Sequence, residues 1–425
     1  MAGYIDDLDY PHFFHREMTP VWIAALLAGR GWPAPDIRKP YRWCDLGCGT
    51  GFGTALTAAV NPLGQFTGID FNARHIAHAV DFAGRAGIGN ARFQAADFAA
   101  AAADGDGFDF IVCHGVWSWL APEKREAVLD FIDRRLRPGG VVYLHYMCHP
   151  GLSAFAGARQ FLRLHAGAGS DRGARLTAGL RLLADLGRAG AGYFAVHPLV
   201  LSQGVERALA DDPRFLAHEL LNEHWQPQHV GDVIRALSGI GCAYAGSANP
   251  FDNIDAVCLP GQTAAALAGV ADAAMAETIR DLARNQGRRQ DLYVRGVQPL
   301  AGQARIEALC GFAYAGSDRA PRGGDISFAT PIGPVTGAGA LFTPLFEALA
   351  AGPRNFADLA RLPVFRGNAG AAWQALAMAL FAGFAHPVLP AGRGDERRVN
   401  DLIEGEGQAY GWRAVAALGS ALPRA

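Results

Sequence analysis

Apolar residues between positions 41 and 150 fall into short runs separated by amphipathic stretches, a rhythm that predicts alternating strands and helices. The runs Trp43–Leu46, Phe66–Asp70, Ala91–Ala95, Phe108–Cys113 and Val141–Met147 have strand length. Between them, Phe52–Val60, Arg74–Arg85 and Pro122–Leu136 read as helices; Val128, Leu129, Ile132 and Leu136 recur at helical spacing in the last. Asn61-Pro62-Leu63-Gly64 and Arg137-Pro138-Gly139-Gly140 supply turns. Strands alternating with helices predict an α/β fold with a doubly wound, mostly parallel sheet.

The pattern differs on either side of this region. Residues 1–40 are an aromatic lead-in with Tyr4, Tyr10, Phe13 and Phe14; Thr19 is placed to cap a helix with Pro20 first and Val21–Leu27 as its body. The lead-in reads equally as a helix packed on the sheet or as a lid carrying Tyr4 and Tyr10 over a ligand. After the fifth run the chain turns helical to about Leu209, and Asp211-Asp212-Pro213 opens a helix bearing His218 and Glu219. Neighbours on a helix point about 100° apart, which favours a structural role for that pair. Val230–Leu237 and Cys242–Ala248 read as a final helix and strand of the core, with Ala256–Leu259 as a last strand and 263–290 helical. Beyond 300, two strand-like runs flank a Pro/Gly segment and three helices follow, a winged-helix-like α+β layout. The expected division is a lead-in (1–40), a core (41–150 and 228–262), a helical insertion (151–227) and a C-terminal region (263–425).

Charge narrows the partners. The 425 residues carry a formal net charge of −2, without the basic footprint of a protein that binds nucleic acid or an anionic membrane. Residues 300–425 hold eleven Arg and ten Asp or Glu, so a winged-helix layout there does not imply DNA binding. Cys44, Cys48, Cys113, Cys148, Cys242, Cys258 and Cys310 lack C-x-x-C spacing, which predicts free thiols, no metal site and a reducing compartment. The acidic start, with Asp6, Asp7 and Asp9, does not resemble a signal peptide. The uncharged run Ile326–Phe346 contains three prolines and reads as strands and turns, not as a membrane helix. A cytoplasmic protein without membrane insertion is expected.

The candidate chemistry starts where the first strand ends. Asp45-Leu46-Gly47-Cys48-Gly49-Thr50-Gly51 is a glycine turn into a helix, where backbone N–H groups meet a ligand closely. The dinucleotide fingerprint needs a third Gly or Ala, and Phe52 or Thr54 stands there; a P-loop needs a lysine, and none is near. The D-x-G-x-G-x-G string resembles the first motif of class I S-adenosylmethionine (SAM) methyltransferases, which implies a Rossmann-like core with the loop at the methionine end of the cofactor. Asp70, ending the second strand, is placed for ribose hydroxyls, or else as a helix cap. By the same resemblance Asp97 would bond the adenine amino group and Phe98 pack on its ring, unless Asp97 caps the following helix. Leu136-Arg-Pro-Gly-Gly140 before an apolar strand is a further methyltransferase signature. The implied cofactor contacts are Asp45, Gly47, Cys48, Gly49, Gly51, Asp70, Phe71, Asp97, Phe98 and His114.

A narrower resemblance rests on Tyr4…Tyr10-Pro11…Thr19-Pro20, His114-Gly-Val-Trp-Ser-Trp119, Phe215-Leu-Ala-His-Glu-Leu-Leu-Asn222 and Gln290-Asp-Leu-Tyr-Val-Arg-Gly296. These strings are similar to bacterial methyltransferases with a methyltransferase regulatory domain, a family that includes protein lysine methyltransferases acting on outer-membrane proteins. The resemblance implies helical middle and C-terminal domains that receive substrate and help dimerise, which leaves a homodimer open. The acceptor is then a protein lysine; a small-molecule O- or N-methyltransferase and a SAM-binding regulatory protein without turnover are the alternatives. Catalytic candidates are His114, Trp117, Tyr146 and Tyr10. A lysine nucleophile must lose a proton from a group of pKa about 10.4. Aromatic walls favour the neutral amine, and His114 or His145 could accept its proton; either histidine could equally be a satisfied core group.

Overall fold

The computed structural model describes residues 11–103, 105–167, 171–407 and 410–424. One sheet holds β1 (Tyr41–Leu46), β2 (Gly64–Asp70), β3 (Ala91–Ala95), β4 (Phe108–Cys113), β5 (Leu136–Met147), β6 (Cys242–Ser247) and β7 (Arg288–Arg295). Their order is β3-β2-β1-β4-β5-β7-β6. The first five run parallel, and β7 is antiparallel to both β5 and β6. The chain steps from β1 outward to β2 and β3, then returns to β4 on the other side of β1. The loops after β1 and β4 therefore part, and a crevice opens at the carboxyl ends of the strands.

The helices that connect this sheet follow the periodicity of the sequence. They are α1 (Pro20–Arg30), α2 (Phe52–Val60), α3 (Ala73–Ala86), α4 (Phe98–Ala102) and α5 (Pro122–Arg135). Residues Val21–Gly29 of α1 carry no charge and are buried on every side, as expected of a helix that is apolar all round. The Trp22 indole N–H donates to the Ala248 carbonyl at 2.9 Å and that of Trp43 to the Met18 carbonyl at 3.1 Å. The lead-in helix is thus packing, whereas Pro11, Phe13, Phe14 and His15 just before it reach the crevice. Tyr4 and Tyr10 lie outside the described residues.

The insertion contributes α6 (Phe155–Ala166), α7 (Arg172–Arg188), α8 (Gly192–Val196) and α9 (Pro213–Leu221). They share an apolar core that includes Leu162, Leu176, Leu180 and Leu216. Asp212 caps α9 by accepting from the Arg214 N–H, and Pro213 is its first residue. Then follow α10 (Val230–Gly239), α11 (Asp255–Cys258) and α12 (Ala273–Arg284).

Residues 256–259 are not a strand, since Asp255–Cys258 is a single helical turn. The helical stretch ends at Arg284, and the missing strand is β7, at the centre of the sheet's second half. Its charged residues hid it. Arg289 is buried against Asp291, Glu277 and Asp281, and Tyr146 Oη donates to Asp291 at 2.6 Å. Charges that satisfy one another can occupy a buried strand.

Beyond β7, a hairpin pairs Ile326–Thr330 with Gly333–Gly337, and a small sheet joins Ala313–Gly316 to Arg354–Asn355 and Ala385–Pro387. Helices Gly339–Ala350, Phe356–Ala360 and Ala369–Phe381 pack with them. A last helix, Arg397–Gly405, and a hairpin of Trp412–Val415 with Ser420–Pro423 return to the core, where Tyr410 stacks on Phe52 of α2 with ring centroids 4.7 Å apart. All seven cysteines are free thiols. Among the described residues no helix is long and apolar enough to cross a membrane, and no His, Cys, Asp and Glu cluster could hold a metal ion.

Candidate functional site

The crevice at the switch point is a cavity of about 230 Å³ between the glycine loop, the ends of β2 and β4, the lead-in and α9. The loop is tied to the next strand: the N–H groups of Gly47 and Cys48 both donate to the Ile69 carbonyl, at 2.8 and 3.1 Å. Gly49 and Gly51 both have positive φ, 53° and 70°, but for different reasons. A Cβ on Gly51 would strike Ala79 and Phe93, so that glycine serves close packing. A Cβ on Gly49 meets no protein atom within 4 Å and would stand in open space. Gly49 is among the cavity's lining residues, whereas Gly51 is not.

Two carboxylates stand beside the loop. Asp45 is 5% exposed, and its one side-chain partner among the described residues is the Thr54 hydroxyl, which donates to it at 2.8 Å. Burial pushes its carboxyl up to about 7, partly opposed by the Thr54 bond, with the Asp70 charge adding to the rise. Asp70 accepts from the N–H of Gly49 at 3.0 Å and from that of Asn72 at 2.8 Å. It does not cap α3; Asn72 does, through its own side chain.

Asp97 caps α4 by accepting from the Ala99 N–H at 3.0 Å, and its other oxygen meets Lys124 at 2.5 Å. Burial alone would raise its carboxyl, but Lys124 and the capped helix hold it below the usual range.

Three histidines from distant parts of the chain stack in one column. The His114 ring lies 3.6 Å from that of His15 and 4.1 Å from that of His145. Burial lowers all three, and each member of the stack would repel a proton on another. His145 falls to about 3. The rings are therefore neutral near pH 7. Gly115 N–H donates to His145 Nδ1 at 3.2 Å, which puts the proton of that ring on Nε2. Tyr143 Oη lies 2.8 Å from His114 Nδ1.

The cavity's fourth side comes from the insertion. His218, Glu219 and Asn222 all line it. Burial raises the Glu219 carboxyl to about 7, against the pull of Arg288; that guanidinium stands 3.6 Å away and is largely exposed.

Residues 37–164 match a methyltransferase domain, and residues 212–295 match a family described as a predicted methyltransferase regulatory domain. The uncharacterized protein sll1526 of Synechocystis sp. is 31% identical over 391 residues, 91% of this chain and 77% of that protein. The chain belongs to the SAM-dependent methyltransferases that carry a methyltransferase regulatory domain. The uncharacterized protein RP028 of Rickettsia prowazekii is 27% identical over 160 residues, 38% of this chain and 64% of its own. The fold is that of PKMT2 from Rickettsia typhi, solved in complex with AdoHcy, at a TM-score of 0.70 and 20% identity, over 89% of this chain and 77% of that one.

In this methyltransferase Asp45, Gly47, Cys48 and Gly49 line the cavity from the first strand and its loop, and Asp70, Phe71, Asp97, Phe98 and His114 from the next ones. Two catalytic candidates lie elsewhere. Tyr146 is fully buried on the face of β5 opposite Tyr143 and His145, where it serves the Arg289 network. Strand alternation sends neighbours to opposite faces. Trp117 is packed in the core, and Trp119 is the tryptophan of that turn that lines the cavity. Tyr10 lies outside the described residues. The pair His218 and Glu219, read as structural from the helical angle, is brought to the cavity with Asn222 one turn on. His15 was also missed, because nothing local marks a residue that stacks on another 99 positions away.

Proposed function

We propose that this methyltransferase uses S-adenosylmethionine to methylate a protein lysine at its ε-nitrogen. The observation that carries the proposal is the charge of the cavity wall. Carboxylates of Asp45, Asp70 and Glu219 face a space whose one lysine, Lys124, is already paired with Asp97, and whose histidine column is neutral. Such a site suits two cationic guests, a sulfonium cofactor with its ammonium group and an acceptor ammonium.

The residues present fit the cofactor. Gly49 leaves room at the loop for a close backbone approach. Asp45 is a buried carboxylate without a cation among the described residues. Trp119 and His75 bring buried ring nitrogens without hydrogen-bond partners to the same wall. When bound, S-adenosylmethionine supplies a methyl group on a sulfonium, which passes to the acceptor nitrogen as the carbon–sulfur bond breaks. The chain's own part is to hold Asp45 ionised beside positive charge, to align the acceptor and to exclude water.

Likeness to PKMT2 over 89% of this chain supports the protein-acceptor reading, with residues 151–227 as the acceptor-side wall. The seven free thiols suit a cytoplasmic enzyme. The test is to incubate the protein with methyl-labelled SAM and a host lysate, then separate macromolecules from small molecules. Label in protein, reduced when Gly49 is replaced by Ala and labelled SAM is limiting, is the expected result. Label confined to small molecules would sink the protein-acceptor reading; no label in either fraction would leave a SAM-binding protein without turnover.

A further inference from the structure

We propose that Glu219 is the residue that receives the acceptor: its carboxylate binds the amino group as an ammonium and takes from it the proton that must leave before the nitrogen can accept a methyl. This rests on the lysine reading above. In the step one N–H bond of the ammonium breaks and one O–H bond forms on Glu219. The neutral amine keeps the electron pair, and the carboxyl returns the proton to solvent.

Comparison of the cavity's carboxylates, and of the histidines that follow β4 and lie on β5, leads to Glu219. Asp70 already holds the N–H groups of Gly49 and Asn72. Asp97 is engaged by Lys124 and by its helix. Asp45 belongs to the glycine loop, on the cofactor's side. His145 has its Nδ1 occupied by Gly115, and His114 has its Nδ1 against Tyr143; burial disfavours a proton on either. Glu219 is the cavity carboxylate that comes from the insertion. Its carboxylate makes no hydrogen bond among the described residues, and its ion pair with Arg288 is long, at 3.6 Å. A half-buried carboxylate without a hydrogen bond in a cavity wall has a strong preference for a cation that brings N–H donors.

The position is held firmly. Arg159 of α6 donates to the Asn222 carbonyl at the end of α9, and Asn222 Nδ2 donates to the His218 carbonyl at 2.8 Å. Other charges around Glu219 are few. Arg288 on β7 lowers its carboxyl and Asp211, ahead of α9, raises it, while burial dominates both. His218 and Arg214 share its helix. His15, His114, Asp45, Asp70 and Lys124 line the same cavity.

The experiment uses the full chain saturated with AdoHcy and two small probes, Nα-acetyl-lysine amide and Nα-acetyl-norleucine amide, in calorimetric titrations between pH 5.5 and 8.5. The native protein should prefer the lysine probe at pH 8 at least tenfold. That preference should fall as pH drops through about 7, where burial places the Glu219 carboxyl, by about tenfold per pH unit below it. Glu219→Gln should remove the preference and its pH dependence while AdoHcy affinity stays within twofold; Asp45, which titrates in the same range, remains in that variant. A preference retained by Glu219→Gln overturns the proposal and leaves the lysine reading standing. So does a native preference that is flat with pH, a result that needs no variant to fold. A native protein that binds AdoHcy and never prefers the amine overturns the lysine reading itself.

Discussion

Replacing Gly49 by Ala separates the loop's role in binding from its role in folding. At φ 53° an L-residue is strained, which costs roughly 1–2 kcal/mol. No clash adds to it, because the new methyl meets no protein atom within 4 Å. Gly139 offers a matched control: its φ is 81°, its Cβ position is equally open, and it is not among the residues lining the cavity. Gly49→Ala and Gly139→Ala should therefore lose about the same stability in urea unfolding without ligand. They should part in calorimetry with AdoHcy. Forcing a methyl into a filled contact costs about 1–3 kcal/mol, or roughly 5- to 150-fold in affinity, and only Gly49→Ala should show it. Equal AdoHcy affinity in the two variants would refute the claim that the cofactor lies against Gly49.

Further outcomes follow from buried charge. Burial raises Asp45 to about 7 in the folded chain, against about 3.9 when unfolded. Its contribution to stability is thus fully present below pH 4 and is lost as pH rises through 7. Asp45→Asn should therefore raise the melting temperature of the ligand-free protein more at pH 8 than at pH 5, while weakening SAM at least about tenfold, the effect of about 1.4 kcal/mol. Thermal scans with and without SAM read both effects; a gain independent of pH would contradict the buried-carboxylate argument. Arg289→Met would leave Asp291, Asp281 and Glu277 without their shared cation. A loss of about 3–5 kcal/mol is expected in urea unfolding, and a loss under 1 kcal/mol would show that the cluster is protonated or hydrated instead.

Most of the parallel strands were legible as apolar runs closed by turns, β3 (Ala91-Arg-Phe-Gln-Ala95) by its place after the Gly87–Asn90 turn, and the glycine loop because its spacing excludes other phosphate-type turns. What escaped the sequence had physical reasons. Strand β7 begins Arg288-Arg289-Gln290-Asp291, a string that looks exposed until α12 supplies Glu277 and Asp281 as partners. Ala256–Leu259 is apolar enough for a strand yet too short to say whether it is one, and Asp255–Cys258 became a helical turn. Tyr146 is an aromatic next in sequence to His145, and strand alternation turns it to the opposite face. Glu219 was discounted on the angle between helical neighbours. A cavity wall that also takes in Asn222 is broad enough to admit both members of the pair. The histidine column joins the lead-in to β4 and β5, a contact that only the fold brings together.

The measurement that bears most directly on the central claim is peptide mass spectrometry of host proteins after reaction with trideuteromethyl-SAM and the purified chain. The account requires the heavy methyl on lysine ε-nitrogens of one or a few polypeptides, reduced with Gly49→Ala when the labelled cofactor is limiting. Heavy methyl found only on small metabolites, or on protein side chains other than lysine, would contradict it.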